Sequence, residues 1–96
     1  MEKHPTVYIL TNKRHGTLYV GVSSNVVKRV WQHKEHLIQG FTKRYGLSTL
    51  VYIEQFEDMT GAISREKQLK KWNRAWKIEL IESENPNWLD LYPNLL

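Results

Sequence analysis

Apolar and polar positions alternate in a way that divides the chain into a small set of elements. Thr6-Val7-Tyr8-Ile9-Leu10-Thr11 is rich in β-branched and aromatic residues and predicts a strand. Asn12 to Gly16 is a polar turn closing on glycine, and Leu18-Tyr19-Val20-Gly21-Val22 behind it predicts a second strand, so the pair reads as an antiparallel hairpin. Ser23, Ser24 and Asn25 favour helix starts. The pattern then turns helical from about Asn25 to Gln39, with Val26, Val30 and Leu37 on one face, Arg29 and His33 one turn apart on a neighbouring one, and Gly40 as C-cap.

Phe41 to Gly46 reads as a basic, aromatic connection, and Leu47 to Phe56 as a third strand centred on Leu50, Val51, Tyr52 and Ile53. Asp58 or Thr60 caps a helix running to about Trp72, with Ala62, Glu66 and Leu69 along one side. Asn73 breaks and recaps the chain. Arg74 to Glu84 is a further helix with Trp76, Leu80 and Ile81 toward the core, and Pro86 after Asn85 ends it. Met1 to Pro5 reads as a frayed start. Trp88, Leu89, Leu91, Tyr92, Leu95 and Leu96 are too apolar for a loose tail and are expected to pack back onto the body. The order β-β-α-β-α-α predicts an α/β fold of the α+β type, a small three-stranded antiparallel sheet flanked by helices. Residues 1–96 contain no repeat or linker and read as one domain.

Composition narrows the chemistry. The absence of cysteine removes disulfides, thiolate catalysis and cysteine-type zinc fingers, and fits a reducing cytoplasm. No apolar run suits a signal peptide or a membrane span, so a cytoplasmic protein without a membrane partner is expected. Charge is informative by position. Residues 1–77 carry all fourteen Lys and Arg against six Asp and Glu, a net +8, whereas residues 78–96 carry four acids and no base, a net −4. A basic body with an acidic tail favours a phosphate polymer as partner.

A strand that ends near Gly21 and hands over to a helix bearing Arg29 and His33 is a candidate phosphate site. Arg29 offers a planar, permanently charged fork for phosphate oxygens. Lys28, Lys34, Lys43, Arg44, Lys67, Lys70 and Lys71 suit salt-sensitive contacts to a nucleic-acid backbone. Trp31, near Arg29, is the tryptophan expected to be exposed; Trp72, Trp76 and Trp88 are expected in the core.

Taken together, these residues resemble a known pattern. Val7-Tyr8-Ile9, followed by Tyr19-Val20-Gly21, then Arg29, His33 and a later helical Glu66, is similar to the motif series of the GIY-YIG nuclease superfamily, and the ending from Trp76-Lys77 through Asn85-Pro86-Asn87-Trp88 resembles that of its small stand-alone bacterial members. The first tripeptide departs from Gly-Ile-Tyr, and the second has Val in place of Ile.

The resemblance implies an endonuclease hydrolysing DNA phosphodiester bonds with a divalent ion, Mg²⁺ or Mn²⁺, on Glu66, acting in repair or recombination. No second carboxylate is placed for a second metal, so a single ion is expected, and no helix-turn-helix, zinc finger or other sequence-reading module is left over, so selection by nucleic-acid structure rather than sequence is expected. It implies that Tyr8, Tyr19, Arg29, His33 and Glu66 are catalytic, with Tyr8 as general base assisted by Tyr19 and His33. A free phenol titrates near about 10, so such a base needs a cation beside it. Gly21, Tyr45 and Asn85 complete the expected nucleic-acid surface, with Asn73 the alternative to Asn85 as the family's late asparagine. A nucleic-acid-binding module that keeps the fold with little catalysis is the alternative function.

Overall fold

Strand β1 (Thr6–Thr11) lies at the centre of a three-stranded antiparallel sheet in the computed structural model, which describes residues 4–96. The first three residues of the expected frayed start lie outside the described residues. On one side β1 pairs with β2 (Leu18–Ser23), Tyr8 standing opposite Gly21 and Leu10 opposite Tyr19. On the other it pairs with β3 (Thr49–Gln55). Between Ile9 and Leu10 that second ladder slips by one residue, so Val51 and Tyr52 both serve the same side of the sheet. A bulge of this kind suspends the two-residue period locally.

The two faces of the sheet carry separate clusters. On one, Val7, Ile9, Val20, Val51 and Tyr52 pack with Ala62 and Leu69 of helix α3 (Met59–Lys71), Ile81 of helix α4 (Arg74–Glu84) and Trp88. On the other, Tyr8, Leu10 and Leu50 pack with Val26 and Val30 of helix α1 (Val26–Lys34) and with Leu47. The tail closes this second face: Leu91, Tyr92 and Leu95 lie against it, the last two in a 3-10 turn (Tyr92–Leu95).

Helix starts follow the expected caps. Asn25 Oδ1 accepts from Lys28 N, Asp58 Oδ1 from Gly61 N and Asn73 Oδ1 from Trp76 N.

The end of α1 corrects the sequence reading. The helix stops at Lys34, and His36 adopts a left-handed φ of 55°. Leu37 N bonds Gln32 O at 2.9 Å and His36 N bonds His33 O at 3.1 Å, the paired closure of a Schellman motif with histidine where glycine is usual. Leu37 therefore lies beyond the helix and is exposed. Gly40 starts a further helix, α2 (Phe41–Tyr45), where a connection was expected, and Gly46 closes it in the left-handed conformation. Trp76 is also a correction. It lies about 140° around the helix from the buried Ile81, and is 52% exposed with its ring edge-on to Trp72. At the chain end, Leu89 and Leu96 are exposed rather than packed.

Candidate active site

Because β1 alternates, Tyr8 points to the α1 side between the two back-facing residues Val7 and Ile9. Its ring lies against the backbone of Gly21, its cross-strand partner. A Cβ at Gly21 would fall 2.5 Å from both Cζ and Oη of Tyr8. Close approach of the phenol is the reason a side chain is absent here.

Helix α1 brings His33 over the same ring. Tyr8 Oη lies 3.1 Å from His33 Nε2, and His33 Nδ1 lies 2.9 Å from Thr42 Oγ1, supplied by α2. All three side chains are buried. Tyr19, only partly covered, completes the cluster with its ring centre 6.3 Å from Tyr8 and 5.7 Å from His33.

Two charges from different elements act on this cluster. Burial pushes the Tyr8 phenol well above its ordinary range, and Tyr19 adds to the effect; the Arg29 guanidinium beside it works in the opposite direction, and the Glu66 carboxylate raises it again. Arg29 and Glu66 thus lie within electrostatic reach of one hydroxyl, although α1 and α3 cover different faces of the sheet. Burial, and then the Arg29 charge, hold His33 down to about 4, so the imidazole is neutral at neutral pH. The cation expected to lower Tyr8 is in place, yet burial outweighs it: the resting phenol is protonated.

Glu66 lies on the same stripe of α3 as the buried Ala62 and Leu69, and its side chain is only 15% exposed. A carboxylate on a packed stripe is uncommon without a partner. Lys70 Nζ approaches it at 3.3 Å. Among the described residues no group of three His, Asp or Glu converges as a metal cage. Glu66 alone fits Mg²⁺, which is commonly held by one or two carboxylates while keeping water on its other positions.

Outside the buried cluster, an open groove runs along the junction of β2 and α1, lined by Ser23, Ser24, Asn25, Lys28, Arg29 and Met59. Lys28, Arg29, Lys43, Arg44, Tyr45 and Lys67 are all exposed. Phe41 of α2 stacks on Tyr19 at 6.5 Å, Tyr45 follows at 4.8 Å, and the Arg44 guanidinium sits over Tyr45. This aromatic run leads from the buried cluster to the basic surface.

Three residues assigned to the nucleic-acid surface are used inside the fold instead. Gly21 is buried in β2 beneath the Tyr8 ring. Lys34 Nζ donates to Ser48 O at 2.8 Å and to Asp90 at 2.6 Å, and lies over the Tyr92 ring. Asn85 is buried; its Nδ2 donates to Val51 O and Leu89 O, and its Oδ1 accepts from Leu89 N. Lys70 is engaged with Glu66. Asn73, the other asparagine considered, caps α4. Trp31 is exposed on α1 as expected, and Trp88 is buried with its indole N–H donating to Glu82. The residue that sequence reasoning missed is Thr42. It stood in a stretch read as a connection, between an aromatic and a lysine, with no local signal that its hydroxyl turns inward.

Comparison with known proteins gives the family and the fold. Residues 4–79 match the model of the GIY-YIG catalytic domain. The chain is 39% identical over 79 residues to a UPF0213 protein of Clostridium perfringens, covering 82% of this chain and 84% of that one. It is 37% identical over 71 residues to a UPF0213 protein of Syntrophus aciditrophicus, covering 73% and 80%. The solution structure of a UPF0213 protein from Bacillus halodurans superposes with a TM-score of 0.57 at 24% identity, covering 91% of this chain and 92% of that one, a likeness of fold. With the family's domain model spanning the hairpin, α1 and α3, this chain belongs to the GIY-YIG nuclease family.

Proposed function

We propose that the protein is a metal-dependent endonuclease that hydrolyses DNA phosphodiester bonds, selecting its substrate by nucleic-acid structure rather than by base sequence. The observation that carries this reading is the buried Tyr8–His33 hydrogen bond lying beside the exposed Arg29 fork. Arg29 holds two oxygens of the scissile phosphate, and Lys28, Lys43, Arg44 and Lys67 bind the flanking backbone. These contacts register the strand without reading bases.

The attacking water gives a proton to Tyr8 Oη as the Tyr8 proton passes to His33 Nε2. A bond forms from the water oxygen to phosphorus, the bond to the leaving oxygen breaks with its electron pair on that oxygen, which takes a proton from solvent, and the His33 proton returns to solvent after release. Phosphate binding arms this relay. Arg29 is one of the two causes that hold His33 neutral, and a phosphate anion on the guanidinium cancels its repulsion. Tyr19, at the opening of the cluster, orients the water. Glu66 would hold a single Mg²⁺ or Mn²⁺, which would supply charge neutralisation for the phosphoryl and leaving oxygens.

The test is incubation with supercoiled, nicked and branched DNA in Mg²⁺ or Mn²⁺, with and without a chelator, alongside Arg29→Ala and Glu66→Ala. Cutting that the chelator abolishes, and that both variants lose while Glu66→Ala still binds DNA, is the expected outcome. Equal cutting by wild type and Glu66→Ala overturns the proposal.

A further inference from the structure

Thr42 is the buried side chain of α2, a five-residue helix whose other side chains, Phe41, Lys43, Arg44 and Tyr45, are exposed. Its place is fixed from two directions. The Thr42 carbonyl accepts from the N–H of Leu47, itself buried in the front cluster, at 2.9 Å, and the neighbouring Phe41 stacks on Tyr19. The chain between His33 and Thr42 reverses through left-handed His36 and Gly40, and so returns the hydroxyl to the imidazole.

A neutral imidazole carries one N–H and one lone pair, and the partner of one nitrogen decides what the other can do. Nε2 faces the Tyr8 hydroxyl at 3.1 Å, a group that can either donate or accept. We propose that Thr42 is a positioning residue for the reaction: its hydroxyl oxygen accepts the Nδ1 hydrogen of His33 and thereby keeps the Nε2 lone pair turned to the Tyr8 proton. The observations behind it are the 2.9 Å contact, the burial of all three side chains, and the absence, among the described residues, of any buried side-chain polar atom without a partner. Without the Thr42 oxygen, an Nδ1–H is left buried with no acceptor. Moving the hydrogen to Nε2 relieves that, but then the ring donates to the Tyr8 oxygen and can no longer take its proton.

The inference rests on the nuclease reading only for its catalytic consequence; the tautomer is measurable without DNA. The ring ¹⁵N shifts of His33, assigned against His33→Gln, are expected to show hydrogen on Nδ1 at neutral pH in the wild type and in Thr42→Ser, and displacement toward Nε2 in Thr42→Val. In DNA cleavage, Thr42→Val is expected to lower kcat by about 10–100-fold, in the range for lost support of an oriented histidine, with KM little changed and Thr42→Ser restoring most of the rate. Hydrogen on Nε2 in the wild type, or a Thr42→Val protein that keeps it on Nδ1, overturns the assignment. Should Thr42→Val not fold, the wild-type and Thr42→Ser shifts decide alone. If the tautomer responds as described and no variant cuts DNA, the nuclease reading fails while the role of Thr42 in setting the ring stands.

Discussion

Strand β1 has two sides that do opposite work. Val7 and Ile9 face α3 and α4 in a cluster dominated by hydrocarbon. Tyr8, one residue away from each, is just as buried but sits under an imidazole whose other nitrogen meets a threonine hydroxyl. Hydrocarbon burial stabilises by about 25 cal/mol per Å², whereas a buried hydrogen bond nets only about 1 kcal/mol after desolvation. Hydrocarbon on both faces therefore holds the fold, and at Tyr8 the front gives up part of that stabilisation to keep polar groups dry and aligned.

The largest effect should come from breaking the back. Ile9→Ala is expected to cost about 3 kcal/mol, the middle of the range for a fully buried aliphatic truncation, read from urea unfolding. Tyr8→Phe keeps the ring on Gly21 and leaves His33 Nε2 without its partner, for about 1–2 kcal/mol. The same substitution should lower DNA cleavage by about 100-fold or more, the scale of a lost acid–base group. If Tyr8→Phe unfolds as easily as Ile9→Ala, the two sides do not divide the work in this way.

Acid sharpens the contrast, because the front carries a buried imidazole and the buried residues of the back cluster include none. His33 sits at about 4 against an unperturbed 6.5, so the fold favours its neutral form. Its contribution to stability is complete above about pH 6.5 and is lost as pH falls through that value toward about 4, in total on the order of 3 kcal/mol. Urea unfolding at neutral pH and near pH 4.5 is expected to show a larger acid loss for wild type than for His33→Gln, by roughly 2 kcal/mol. Equal losses would show that the imidazole is not held neutral.

Gly21→Ala probes the same region through space rather than charge. The new methyl would meet the Tyr8 ring at 2.5 Å, and overpacking of this kind costs about 1–3 kcal/mol. Combined with Tyr8→Ala, most of that cost should vanish, so the double-mutant cycle should return a coupling above about 0.5 kcal/mol. Additive effects would mean that the phenol does not rest on the glycine.

Most of the framework was legible because its signals are local. Tyr8, Tyr19 and Gly21 lie in two strands defined by β-branched and aromatic runs, and Asp58 and Asn73 announce α3 and α4 by capping. Glu66 was marked by its match to the family's motif series, and the helical period places it on the stripe of Ala62 and Leu69. What escaped was set by contacts distant in sequence or by an unusual backbone. The end of α1 depends on a histidine in a left-handed conformation that sequence rules reserve for glycine. Once α1 ends there, the chain has room to form α2 and return Thr42 to His33, so one unreadable turn hid both the helix and the residue. Asn85 was expected on the nucleic-acid surface, and no local signal turns it inward, because its partner Val51 is remote along the chain.

Lys34 gives the smallest effect and separates the two kinds of cation on this basic body. It belonged with Lys28 by charge and helix, yet its ammonium joins Ser48 O to Asp90, and Asp90 in turn accepts from Leu50 N and Tyr92 N. It fastens the tail to the front of the sheet. Lys34→Gln is expected to cost no more than about 1 kcal/mol, since the pair is partly exposed and screened. It should leave the salt dependence of DNA binding unchanged. Lys28→Gln, on the groove beside Arg29, should hardly alter stability but should reduce the slope of log K against log salt by about 0.9, one phosphate contact. The same loss of slope from both variants would mean that Lys34 leaves Asp90 when DNA binds, and that the tail is released rather than fixed as the strand settles on Arg29.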